Sequence, residues 1–229
     1  NSGSSWTTFS DGTSTTTSTT VTGLTLSTAY IFRVAAVNAI GTGSYSSNSS
    51  SFTPASHDNG AMFPLGSYTV SSSGASYIEF TSIPSTYNHL VIKGILRSNR
   101  STEVNDSMYI TCNGVGGTSY AFHALNGDGS SASADRGFTR GNIFVSYGIS
   151  AAGASSNVYS GIVIDVLDYA NTNKTKTFKI LGGVDNNGSG AVTFSSGLFN
   201  STNAISSIKI APAYGTLLQY STLSLYGVK

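Results

Sequence analysis

Residues 177–196 read TFKILGGVDNNGSGAVTFSS. Phe178 and Ile180 alternate with Thr177 and Lys179, and Val192 and Phe194 alternate with Thr193 and Ser195. A period of two belongs to half-buried strands with one apolar and one wet face, so the larger apolar members are expected to face a core. Between the two runs stands Asn187-Gly188, a pair that tolerates the positive φ angles of a tight hairpin turn. The stretch therefore reads strand, turn, strand.

The same pattern recurs on either side. Ile208 and Ile210 face one way and Lys209 the other, while Ile162–Leu167 (IVIDVL) is apolar on both faces and is expected to be a central strand. Two more pairs, Asn113-Gly114 and Asn126-Gly127, mark further turns. Long apolar stretches at helical spacing are missing. Many short strands with such punctuation predict an all-β chain folded as a sandwich or barrel.

The chain has 229 residues, a net charge of +1, and only 9% charged residues. Soluble domains carry roughly 25%, so Ser, Thr, Asn and Gly must cover most of this surface. Without a Lys/Arg cluster there is no basic footprint for nucleic acid. No apolar run approaches the roughly 20 residues of a membrane-spanning helix, and NSGSSWTTFSDG has neither the basic nor the apolar part of a signal peptide. The single cysteine, Cys112, makes no internal disulfide and anchors no metal cluster.

A boundary is expected at residues 54–66, where Pro54 and Pro64 bracket a stretch without alternation. It separates a first segment, 1–53, from a second, 67–229.

Residues 18–53 resemble the second half of a fibronectin type III domain. Val21 and Leu24 would end strand E. Tyr30 stands where that family places its corner tyrosine, whose hydroxyl ties the E–F connection to nearby backbone. Ile31–Asn38 would be strand F, with Phe32, Val34 and Ala36 on one face, Ala39–Ser44 the turn, and Tyr45–Thr53 the last strand. Trp6 and Phe9 match the segment before strand E, while Leu26 replaces a usual proline. Strands A and B and most of C have no counterpart. The chain is therefore expected to be the C-terminal piece of a longer one, with donation of the missing strands by a partner as the alternative.

Residues 67–229 resemble a C-terminal domain of tailed-bacteriophage virion proteins of the fibre-like kind. The resemblance rests on FTSIPSTYNHL (80–90), IDVLDYANTNKTK (164–176), GVDNNGSG (183–190), SGLF (196–199) and YSTLSLYGVK (220–229). Phe199 stands where a Trp is usual, which keeps an aromatic anchor and removes the indole donor. The resemblance implies a jelly-roll-like sandwich, a structural role on the exposed surface of a phage head or tail, other virion proteins as partners, and a homotrimer. It also implies that Lys229 lies at or near the C-terminus.

No catalyst emerges from the three histidines, His57, His89 and His123, since no G-x-S-x-G elbow accompanies them. Asp165 and Asp168 are an odd number apart and point to opposite faces of a regular strand, unlike a glycosidase pair. Asp165 is expected instead to bond backbone or pair with a lysine. The loops NGDG (126–129) and DNNG (185–188) fall short of a calcium-binding layout. No cofactor or metal is called for. Ser130–Arg140 (SSASADRGFTR) and Ala151–Asn157 (AAGASSN) lack alternation and read as long loops, where binding usually resides. Asp135, Arg136, Phe138, Arg140 and Asn157 are the candidate receptor-binding residues, with Tyr120 and Tyr147 near the first loop.

The sequence thus predicts a partial fibronectin type III sandwich followed by a jelly-roll-like antiparallel sandwich. It would be a non-enzymatic, fibre-like or decoration component of a phage particle, contacting a host-surface glycan or protein and neither binding nucleic acid nor entering a membrane. The alternative is a secreted bacterial adhesion or carbohydrate-binding module, which should display an aromatic platform.

Overall fold

The computed structural model describes residues 5–10, 12, 15–54 and 62–229. It divides into two compact units, Asn1–Asn59 and Gly60–Lys229, and the described residues contain strands and turns but no helix. His57 lies outside the described residues.

In the first unit the polar sequence yields a broken ladder in place of the expected strands F and G. Tyr30 and Phe52 exchange both backbone bonds at 2.8 Å. Ser49 N–H then donates to Phe32 O, Ser46 N–H to Val34 O, and Gly43 N–H to Ala36 O, each at 2.8 Å. The register slips at both serines, and the serine side chains repair the slips. Ser49 Oγ accepts from Phe32 N–H at 2.9 Å, and Ser46 Oγ from Val34 N–H at 3.1 Å. Among the described residues of this unit, only β1 (Val37–Asn38) and β2 (Gly41–Thr42) pair as regular strands. The corner tyrosine is in place: Thr25 N–H donates to Tyr30 Oη at 2.9 Å. No strand forms at Val21 or Leu24. Of the face expected to be apolar, Phe32 is half-buried, but Val34 is 72% exposed and Ala36 is exposed.

The described residues of the second unit form twelve strands. They are β3 (Met62–Thr69), β4 (Ile78–Phe80), β5 (His89–Leu96), β6 (Asn105–Cys112), β7 (Tyr120–Gly127), β8 (Ala132–Arg140), β9 (Ile143–Ser150), β10 (Ser160–Leu167), β11 (Lys176–Asp185), β12 (Gly190–Phe199), β13 (Ile208–Pro212) and β14 (Thr222–Val228). One sheet has the order β3-β14-β5-β10-β11-β12-β7-β8 and the other β4-β13-β6-β9, with every pairing antiparallel.

Eight of these strands make a jelly roll. The chain runs β3, β4, β5, β6, β9, β10, β13, β14, and the strand orders β3-β14-β5-β10 and β4-β13-β6-β9 are those of two interlocked Greek keys. The hairpins β7–β8 and β11–β12 are inserted between successive roll strands. They join through the β12–β7 pair and continue the first sheet past β10. Ile162–Leu167 lies in the interior strand β10, as its two apolar faces suggested.

The core lies between the sheets, where alternate residues Leu90, Ile92 and Leu96 of β5, Ile162, Ile164 and Val166 of β10, and Met108 and Ile110 of β6 are all buried. Strand β9 lies against the inserted hairpin strands, and Gly197 permits the approach: a Cβ there would lie 2.7 Å from Ile143 Cδ1. Two buried cations stand among carbonyls instead of carboxylates. Arg97 donates to the carbonyls of Ser155 (2.8 Å), Val158 (2.7 Å), Ala154 (3.1 Å) and Ala152 (3.5 Å). Lys176 Nζ donates to the carbonyls of Asn171, Lys174 and Thr202, and burial pushes its pKa down.

Four expectations are corrected. Strand β3 begins inside the stretch 54–66, with Pro64 at an edge beside a register shift, where its missing N–H breaks no interior ladder. Asn126-Gly127 lies within β7, opposite Ser133 and Ala132; the turn is the next segment, closed by Asp128. Residues 132–140 form strand β8 rather than a loop. Finally, Val192 and Phe194 are 53% and 55% exposed, while Thr193 and Ser195 are fully buried. The period was that of a strand, but its apolar face points outward.

Candidate functional site

Strand β8 sorts the candidate residues by the alternation of its side chains. Asp135 pairs with buried Ala124, and Arg140 with buried Tyr120, so both stand on the inner face. Arg136 pairs with His123, which places it on the outer face. Phe138 joins that side, its ring 5.6 Å from His123 and 5.5 Å from the Arg136 guanidinium carbon. Asn157, exposed and at φ 65°, sits beyond the far end of β9, a strand about 24 Å long. The structure therefore brings Asp135 and Arg140 together, sets Arg136 and Phe138 on the opposite face, and leaves Asn157 apart.

The inner face of β7–β8 overhangs β9, and the overhang forms a cleft of about 280 Å³ lined by Tyr109, Phe122, Asp135, Arg140, Asn142 and Phe144. Tyr109 and Phe144 are cross-strand partners on β6 and β9. The rings form a row, with Tyr109 to Phe144 and Phe144 to Phe122 both 5.6 Å between centroids. Phe122 reaches this position because Gly137 lies opposite; a Cβ at 137 would run into its ring and lie 2.8 Å from Arg140 Nε. Asp135 Oδ1 accepts from Arg136 N–H at 2.7 Å and Oδ2 from Ser146 Oγ at 3.3 Å, which holds the carboxylate at the cleft edge. The arrangement sets the half-buried rings of Tyr109 and Phe144, tilted by 45° to each other and backed by buried Phe122, beside a carboxylate, a guanidinium and the Asn142 amide. It can stack against an apolar ring face and exchange hydrogen bonds with hydroxyls at the rim.

The sequence reading missed Tyr109, Phe122, Asn142 and Phe144, whose meeting depends on long-range pairing. Tyr120, named near the first loop, belongs to the core: its hydroxyl accepts from Cys112 N–H at 2.8 Å, and burial pushes its pKa up to about 12. Tyr147 is part-exposed at φ 56°.

Asp128 and Asp168 are satisfied locally. Asp128 accepts from the backbone N–H and hydroxyl groups of Ser130 and Ser131 at 2.7–2.9 Å, and these bonds hold its pKa well below the usual range. Asp165 stands opposite Lys179 in the ladder, yet no ion pair joins them among the described residues, against the expected lysine pairing. Asp168 accepts from Lys174 Nζ at 2.6 Å, which lowers its pKa, while its N–H donates to His89 Nδ1 at 3.0 Å. Among the described residues no three His, Cys, Asp or Glu side chains gather into a metal-binding group.

No curated protein and no solved structure matches the chain. A family model, the fibronectin type III domain, matches residues 3–52.

Proposed function

We propose that this chain is an exposed structural component of a tailed-phage particle, fibre-like or decorating, and that it meets the host surface through the β7–β8 cleft. The observation that carries the binding part is the cleft itself: three aromatic rings in a row, edged by Asp135, Arg140 and Asn142. The particle assignment is supported by the sequence stretches within 80–229 that resemble fibre-like virion proteins, together with a jelly-roll sandwich in a chain with only 9% charged residues. Binding, not catalysis, is the reading. Asp168 lies past the end of β10 and is tied to Lys174, and Asp135 has only an opposite charge beside it in the cleft.

The aromatic row equally favours a second reading, a secreted adhesion or carbohydrate-binding module. Two measurements separate them. Mass spectrometry of purified particles of the encoding phage should find the chain, and labelled protein should adsorb to host cells. Arg140→Ala should reduce adsorption about tenfold, as loss of one charge-assisted contact predicts, with the melting temperature unchanged. A chain absent from particles yet retained on glycan beads would favour the module. Adsorption indifferent to both Arg140→Ala and Phe144→Ala would remove the cleft from the account.

A further inference from the structure

The outer face of the wide sheet is built inside out. In β12 the aromatic and branched residues Phe194 and Val192 point to water while Thr193 and Ser195 are buried; in β7 Leu125 is 59% exposed between buried Ala124 and Asn126; in β11 Leu181 is 52% exposed beside buried Gly182. The small inward residues make room for β9, and the large apolar ones are left outside. Cross-strand register joins them into one band, Val163–Leu181–Phe194–Leu125–Ala134, running across β10, β11, β12, β7 and β8. On one side lies Gly161–Gly183–Val192–Gly127–Ala132, a row of small residues around Val192. On the other lies Asp165–Lys179–Ser196–His123–Arg136, acidic at the β10 end and basic at the β8 end.

We infer that this face binds a second copy of the same chain, about a two-fold axis running along β12. The register selects that occupant and that axis. Rotation about β12 exchanges β10 with β8 and β11 with β7 and leaves each row facing itself. Asp165 then meets Arg136 of the second copy, twice over; Leu181 meets Leu125; Phe194 and Val192 meet their own counterparts. A two-fold across the strands would set the charged row on the small-residue row and lose both charge pairs. Aligned face-to-face packing is the ordinary way for two sheets to bury apolar faces, and an isologous contact of this kind closes on itself.

The size fits. Five strands spaced ~4.8 Å apart and three same-face rows ~6.8 Å apart outline roughly 490 Å² before side-chain relief is added. Side-chain relief raises this towards ~600 Å² per partner, the low end of specific interfaces, and the exposed apolar residues form one contiguous band rather than scattered single positions. The pairing is independent of the phage reading, and it differs from the three-fold assembly implied by the resemblance.

Sedimentation equilibrium on the full chain should show a particle of twice the 23.6 kDa chain mass. Phe194→Asp places a charge on the axis and should return the chain to monomer with an unchanged circular-dichroism melt, since the side chain is already exposed. Asp165→Arg and Arg136→Asp should each weaken the dimer about tenfold or more, because each sets like charges opposite one another. The double reversal should restore it. A monomer at roughly 100 µM, a trimer, a dimer indifferent to Phe194→Asp, or a double reversal no better than either single variant would each overturn the inference.

Discussion

At the scale of single residues, burial decides chemistry. Cys112 is fully buried, and desolvation pushes its thiol pKa up; the Tyr120 phenol beside it rises to about 12. Both groups stay protonated in the fold while the unfolded chain, with ordinary values of 9.0 and 10.0, releases its protons. The native state therefore binds more protons above pH ~9, so stability falls as pH rises from about 9 towards 12. Chemical denaturation at pH 8 and 11 should show the loss, and Cys112→Ala should make it shallower. Lys176 offers a second test. Lys176→Met keeps the aliphatic packing but leaves three carbonyls without their donor, which should cost about 2–4 kcal/mol in urea denaturation. In the first unit, Tyr30→Phe removes the hydroxyl that accepts from Thr25 N–H, and the transition of that unit should move to lower urea. Tyr30 could be identified in the sequence because it stands where the fibronectin type III pattern places its corner tyrosine.

At the scale of elements, period and facing separate. The alternation in 177–196 marks two strands and their hairpin, and Phe178 and Ile180 are buried as expected. In β12 the same alternation runs with the apolar residues outward, because the inward side must accommodate β9 over Gly197. A period of two states that neighbours face apart; which side is wet depends on an element far away in sequence. Strand β8 was illegible for a different reason. As an edge strand with most of both faces exposed, ASADRGFTR carries no hydrophobic alternation to read. The cleft was therefore only half visible: Asp135 and Arg140 were found, but Tyr109, Phe122 and Phe144 come from β6, β7 and β9. Two variants probe these elements. Gly197→Val drives a side chain into Ile143 and should cost about 1–3 kcal/mol as overpacking. Asp128→Ala removes four bonds that close the β7–β8 turn; hydrogen exchange should quicken in 132–140 and stay unchanged in β5 and β10.

At the scale of the whole molecule, a jelly roll has been widened by two hairpins inserted at separate points of the chain. Their meeting through β12 and β7 produces both features of interest, the overhanging cleft on one face and the outward apolar band on the other. The fold class was readable from turns and period, but the strand order was not, since neighbours such as β3 and β14 lie at opposite ends of the second unit. The functional account makes the cleft a host-facing site on a particle surface. On the proposed function, the most direct test is a cryo-EM map of the intact particle that would carry the chain. The account predicts the widened jelly roll on an external appendage, with the β7–β8 cleft open to solvent. Particles that lack this density, or that bury the cleft against other particle proteins, would contradict it.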